Sequence, residues 1–242
     1  MSHPSDTPKY ITKEQFVRYA DEYVDHFNIF PKYSTSVESC EYDEVSNCWD
    51  VIARDLANGQ VTEYTARFSV VATGENSEGI IPTIPGLHDF PGDVIHSSNY
   101  KSWNNYAGKG VLVVGCGNSG MEIAYDLASN GVETSLVIRS PVLGPISCIR
   151  GNTVEFEDGK KSDFDSLVFA TGYKSTANTW LKNGESLLNA NGMPKRELTD
   201  PWKGENGLYC VGLGMAGLAG ISRDAKSVAA DIKSAVDSMG PF

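Results

Sequence analysis

Residues 111–120, VLVVGCGNSG, run from an apolar segment straight into a glycine-rich turn, and MEIAYDLASNG follows with helical spacing. That order of strand, G-x-G-x-x-G and helix restricts the chain more than any other stretch. A short all-apolar run before the turn suits a buried parallel strand. Gly115 permits a tight exit from the strand, Gly117 lets backbone approach a phosphate, and Gly120 lets the helix pack close to the strand. A helix beginning at this point offers unsatisfied N–H groups and a partial positive charge to an anion. The spacing predicts a helix over Ser119–Ser129 with Met121, Ala124, Leu127 and Ala128 on one face, capped by Asn130-Gly131, and a second strand over Glu133–Ile138. Together they form one β-α-β unit of the kind that binds a dinucleotide pyrophosphate. Cys116 reads as a small packed residue of the turn, not a nucleophile.

The end of the second strand selects the dinucleotide. An acidic residue there would accept a ribose 2′-hydroxyl, but the chain has Arg139-Ser140, and Glu133 comes too early. A guanidinium at that point pairs with a 2′-phosphate, which points to NADP. A second G-x-G-x-x-G lies at Gly212–Gly217, also after an apolar strand. Its helix is expected only from about Ser222, beyond another Gly220. It therefore reads as close backbone packing or contact with a bound cofactor, not as an independent pyrophosphate loop. The closing helix should bury Ala225, Val228, Ala229, Ile232 and Val236.

The remainder supplies the frame. Residues 12–28 predict a helix with a Thr12/Gln15 capping box and an apolar face of Phe16, Ala20, Tyr23, Val24 and Phe27. Strand-like runs at Ser34–Tyr42, Cys48–Leu56 and Val61–Ala72 form an antiparallel meander, with Asn58-Gly59 at one tip. A second hairpin spans Thr153–Phe156 and Ser162–Ala170 around Asp158-Gly159, reached through a short link, PVLGPISCIRG. A last strand is expected over Leu208–Val211. One internal echo stands out. ARFSVVATGEN and SDFDSLVFATGYK each end a strand in Ala-Thr-Gly after a hairpin. Thr73-Gly74 and Thr171-Gly172 thus mark two related crossovers.

Composition excludes several functions. The chain has 242 residues, 20 Lys and Arg against 31 Asp and Glu, and a formal net charge of −11. So acidic a chain suits neither sequence-independent nucleic-acid binding nor anionic membranes. Five cysteines without a C-x-x-C suggest neither a disulfide framework nor a metal site. No leader-like segment or membrane span is visible, and a cytoplasmic protein is expected.

GCGNSGMEIAYDL with the following VIRSP, the ATGEN and FATGYK endings, and FPGDVIHSSNYK resemble the flavin-containing monooxygenases. The last stretch fits that family's F-x-G-x-x-x-H-x-x-x-Y pattern through Phe90, Gly92, His96 and Tyr100. VLVVGCGNSGME and VVATGENSE are most similar to the plant YUCCA branch, which converts indole-3-pyruvate to the auxin indole-3-acetic acid with NADPH, FAD and O₂. The resemblance implies an α/β, Rossmann-like fold with two dinucleotide-binding domains and antiparallel meanders. It divides the chain into an FAD-binding part, 1–78 with 166–242, and an NADPH-binding part, 79–165. It implies that Gly115, Cys116, Gly117, Asn118, Ser119 and Gly120 meet the NADPH pyrophosphate, that Arg139 and Ser140 read its 2′-phosphate, and that Thr73-Gly74 and Thr171-Gly172 join the two domains and bind cofactor. Partners are then a 2-oxo acid such as indole-3-pyruvate, and O₂. The cofactors carry the oxidation, so no catalytic side chain is assigned. His96 reads as a hydrogen-bonded structural residue.

Two departures from the family carry expectations of their own. No G-x-G-P-x-G precedes Gly115, so the fold and the FAD site should be incomplete and the closing strand should lack its neighbour. After VIRSP a helical section and much of the second meander are expected to be absent. Exposed apolar surface would follow, with self-association or pairing with a full-length monooxygenase. The alternative function is accordingly a catalytically inactive relative that binds NADP(H) or pairs in this way.

Overall fold

The computed structural model describes residues 7–8, 11–138, 145–195, 197 and 199–239. Arg139 and Ser140 lie outside the described residues.

Helix α1 (Lys13–His26) opens on the expected capping box: the Thr12 hydroxyl accepts from the Gln15 N–H, and the Gln15 side chain accepts from the Thr12 N–H. Its apolar face is present but largely uncovered, with Val24 half-buried. No α1 residue is buried, and Phe16, Tyr23 and Phe27 are exposed, contrary to the expected packing. Strands β1 (Thr35–Asp43), β2 (Cys48–Asp55) and β3 (Val61–Ala66) form the predicted antiparallel meander. The run expected to continue to Ala72 breaks after Ala66, and β4 (Ser69–Val71) leaves the meander.

A four-stranded parallel sheet carries the glycine turn. Its order is β6 (Asp93–His96), β12 (Ser166–Phe169), β7 (Gly110–Val114), β8 (Glu133–Val137). Helix α2 (Asn118–Ser129) covers one face through Ile123 and Leu127, packed on Val111, Val113 and Val168. Of the expected face, Leu127 is buried and Ala124 half-buried, but Met121 and Ala128 are exposed, because the buried stripe lies at Gly120, Ile123 and Leu127. The other face is covered by a second meander of β9 (Ile146–Arg150), β10 (Thr153–Phe156) and β11 (Lys161–Asp163), whose Ile149, Val154 and Phe156 meet Leu112, Leu167 and Phe169. This meander is fuller than expected: the ISCIR part of the supposed link is strand β9. The sheet also reaches further along the chain than the division at residue 165, since β12 bonds to both β6 and β7.

The closing strand β14 (Leu208–Cys210) pairs in parallel with β4 and so does have a neighbour. Its core of Leu208, Cys210 and Val71 packs with Trp49 and Cys40 of the first meander and with Leu181, Leu187 and Leu188. The unpaired edge belongs to β4. Ser69 N–H donates to Gly207 O and Val71 O accepts from Val211 N–H, so the Val70 backbone faces the opposite side. Among the described residues no strand takes up that edge, and Val70 is exposed. Helix α3 (Gly217–Met239) begins well before Ser222. Of its expected face only Val228 is buried. Asp224 is buried as well and Ile232 is half-buried, while Ala225, Ala229 and Val236 are exposed. The two crossovers are joined by a short antiparallel ladder of β5 (Glu78–Gly79) with β13 (Tyr173–Lys174).

Candidate nucleotide-binding site

The turn after β7 has the backbone the glycine spacing requires. Gly115 lies at φ 113°, and a Cβ on it would collide with the Ala170 carbonyl. Its N–H donates to Val137 O at 3.0 Å, which ties the turn to β8. A Cβ on Gly120 would collide with the Gly115 carbonyl, so this glycine is what allows α2 to sit against the strand. Gly117 differs from both. It is the helix N-cap, its φ of −70° is open to any residue, and a Cβ on it would meet nothing within 4 Å. The first intrahelical bond is Met121 N–H to Gly117 O, which leaves the N–H groups of Asn118, Ser119 and Gly120 without intrahelical acceptors. Cys116, Gly117, Asn118 and Ser119 are exposed; Cys116 is therefore not packed, contrary to expectation.

Val114, Gly115, Cys116, Gly117, Val137, Ala170 and Thr171 enclose a cavity of about 280 Å³. The structure thus brings Thr171 of the second crossover to the glycine turn. Its hydroxyl donates to the Ile80 carbonyl. Gly172, at φ 91°, accepts from Ile80 N–H at 2.9 Å.

The first crossover repeats the arrangement. Thr73 and Gly74, with Glu75 and Asn76, line a second cavity of about 340 Å³ together with Gly212, Gly214, Gly217 and Asp224. Gly74, Gly212 and Gly217 have positive φ, and so does Met215. Because α3 starts at Gly217, the second glycine turn does open a helix directly. Sequence reasoning missed this because Gly217 and Gly220 disfavour a helix interior. Its charge sets it apart from the first turn. Glu75 and Asp224 both line the cavity, an arrangement suited to hydroxyl donors more than to phosphates. Burial, with the Asp224 charge second, pushes the nearby Cys210 thiol up to about 12, so it stays protonated.

The remaining motif residues are structural anchors. Phe90 is buried in the core beneath the second meander. A Cβ on Gly92 would collide with the Asp165 carbonyl. Tyr100 donates to Asp126 of α2 at 2.6 Å, and Trp103 N–H donates to the same oxygen at 3.2 Å. Burial, followed by that bond, raises the Tyr100 phenol. Among the described residues no group of His, Cys, Asp and Glu is arranged to hold a metal. No described helix is long and apolar enough to cross a membrane.

A parallel sheet that presents a glycine turn at a helix N-terminus, joined by paired crossovers to a second glycine-lined cavity, defines an oxidoreductase of the class that pairs a pyridine nucleotide with a flavin. Comparison with known proteins agrees. The family model described as pyridine nucleotide-disulphide oxidoreductase matches residues 2–147. The chain is 35% identical over 313 aligned positions to the probable indole-3-pyruvate monooxygenase YUCCA10 of Arabidopsis thaliana, covering 97% of this chain and 82% of the relative. It is 33% identical to the indole-3-pyruvate monooxygenase YUCCA6 of the same plant, covering 95% and 75%. The flavin-containing monooxygenase from Stenotrophomonas maltophilia superposes with a TM-score of 0.79 over 96% of this chain and 80% of that one; at 20% identity this establishes the fold. The chain belongs to the YUCCA-type flavin monooxygenases, a family of FAD- and NADPH-dependent oxidoreductases. An alignment of 313 positions exceeds the 242 residues of the chain, so the Arabidopsis relative carries intervening segments without a counterpart here.

Proposed function

We propose that this chain is an NADPH- and FAD-dependent monooxygenase that decarboxylates indole-3-pyruvate, or a similar 2-oxo acid, to the carboxylic acid one carbon shorter. In the balanced reaction the 2-oxo acid, O₂, NADPH and a proton give the shorter acid, CO₂, NADP⁺ and water. The observation that carries the reading is the open glycine turn at the N-terminus of α2, roofed by Thr171, in a chain 35% identical to a YUCCA monooxygenase.

The residues divide the work by their chemistry. The free N–H groups of Asn118, Ser119 and Gly120, with the α2 dipole, hold the NADPH pyrophosphate, and Gly117 leaves the space it needs. Arg139 and Ser140 read the 2′-phosphate. Val137, Ala170 and Thr171 wall the nucleotide from water. At the second cavity, Thr73, Gly74 and the 212–217 turn would hold the flavin, with Glu75 and Asp224 as acceptors for its hydroxyls. FAD held there would supply the hydride acceptor for NADPH and the means of O₂ activation. No proton transfer is assigned to a side chain. The NADPH-binding part extends through Phe169, with the FAD-binding part on either side of it in the chain. A cytosolic location fits the acidic composition, and the open β4 edge favours self-association.

The test is incubation of the purified chain with FAD, NADPH and indole-3-pyruvate. Indole-3-acetic acid formed in step with NADPH oxidation is expected; saturable NADPH binding with no product would overturn the enzymatic reading. One observation favours a second reading. The exposed Val70 edge of β4 and the relatives' additional segments suit a non-catalytic chain that binds NADP(H) and pairs with a full-length monooxygenase.

A further inference from the structure

We infer that His96 is the positioning residue that locks both Ala-Thr-Gly crossovers to the parallel sheet, and that it thereby sets how the two cavities face each other. The ring sits at the end of β6 and is 4% exposed. Ser98 N–H donates to Nδ1 at 3.2 Å, and the Ser98 hydroxyl lies 3.0 Å from the same nitrogen. Nδ1 therefore carries no proton, and the Nε2–H is left to donate to the Gly172 carbonyl at 3.0 Å. That carbonyl also accepts from Ile80 N–H of the first crossover at 2.9 Å. One carbonyl thus gathers the sheet, the second crossover and the first.

Packing repeats the connection. A Cβ on Gly79 would collide with His96 Nδ1, so the ring lies directly on the β5 backbone. The Tyr173 ring meets it edge-on at 4.8 Å. The β5–β13 ladder comprises only two residue pairs. Beyond it, the crossovers are tied by Thr171 to Ile80, by Thr73 to Ser175 at 3.4 Å, and by the Lys174–Glu78 ion pair at 3.0 Å, which is exposed and contributes little. With so few buried ties besides, the imidazole is a principal clamp. Both nitrogens are committed, so the ring has no free position from which to move a proton. The part of this inference that concerns hydride transfer rests on the proposed function, since nicotinamide and flavin must meet across these crossovers. The clamp itself does not.

Hydrogen exchange followed residue by residue tests it in the full chain. In His96→Leu, which fills the space without a donor, exchange at Ile80 and Tyr173 should accelerate about tenfold, as the loss of one buried hydrogen bond implies. Exchange at Val113 and Val168 should stay at the wild-type rate. His96→Gln, whose amide can donate to Gly172 O, should restore Ile80 to within about threefold. Gly79→Ala, which displaces the ring, should reproduce the His96→Leu pattern. Ile80 unchanged in His96→Leu, equal acceleration at Ile80 and Val113, or no restoration by His96→Gln would each overturn the inference. NADPH titration of the same variants separates the two ideas. If wild-type protein fails to bind NADPH, the functional reading falls while the exchange comparison still decides the clamp.

Discussion

Replacing Gly117 with alanine separates nucleotide binding from folding, because this glycine's freedom is not required by the backbone. Its φ of −70° suits alanine, and the added methyl would meet no atom of the chain within 4 Å. Two small effects on stability oppose each other. Alanine restricts the unfolded chain, worth about 0.4–1 kcal/mol. It is also a poorer N-cap than glycine, at a cost of roughly 0.5–1 kcal/mol. Net stability should change by less than about 1 kcal/mol. Binding should change far more. A methyl beside the free amides of Asn118 and Ser119 pushes a pyrophosphate away from them. Hydrogen bonds to charged groups contribute about 1.5–3 kcal/mol each. Weakening one or two of them, without full loss, should cost about 2–3 kcal/mol, or roughly a 30- to 150-fold rise in the Kd for NADPH. Fluorescence titration with NADPH reads this, with a urea melt of the same sample to verify the fold. A folded Gly117→Ala protein that binds NADPH within twofold of wild type would refute the cradle.

Further outcomes follow from other parts of the structure. Gly120→Ala places a methyl on the Gly115 carbonyl and 3.3 Å from the Ala170 Cβ, so it should destabilise the chain by about 1–3 kcal/mol, measured as a lower urea midpoint; an unchanged midpoint would contradict the packing. Arg139→Ser should narrow the preference for NADPH over NADH by about tenfold or more, the worth of a charge-assisted pair, in parallel titrations of the two nucleotides. Cys210 and Tyr209, both pushed up to about 12 chiefly by burial, keep their protons in the folded chain where the unfolded chain loses them. The unfolded state then binds fewer protons, and stability should fall as pH rises from about 9 towards 12, by at most about 1.4 kcal/mol per unit for each group. Cys210→Ala should flatten that slope, and a urea midpoint that stays constant from pH 8 to 11 would contradict the burial of these groups.

The parts legible in the sequence are those governed by local pattern. The glycine turn between an apolar run and an amphipathic helix announced β7 and α2, and the Thr12/Gln15 box fixed the start of α1. The repeated Ala-Thr-Gly proved informative as well, since each copy lines one cavity beside one glycine turn. Other features depend on partners distant in the chain. Periodicity identified an apolar stripe on α1 but could not say whether anything covers it, and it is largely uncovered. The start of α3 was obscured by Gly217 and Gly220, which disfavour a helix interior although the chain winds through them. Strand β9 was hidden because Ile146–Arg150 lies in a stretch rich in Pro and Gly, and its strand character comes from pairing with β10. The bond from His96 to Gly172 spans 76 residues, so no local motif could disclose what the histidine holds.

The most direct test of the account is to follow the backbone amide signals of isotopically labelled protein while NADPH is added. Saturable shifts centred on Gly117, Asn118 and Ser119, extending to Thr171, are the predicted result. Saturable binding with shifts confined to other surfaces, or no binding by a folded sample, would contradict the claim that this glycine turn is the nucleotide's seat.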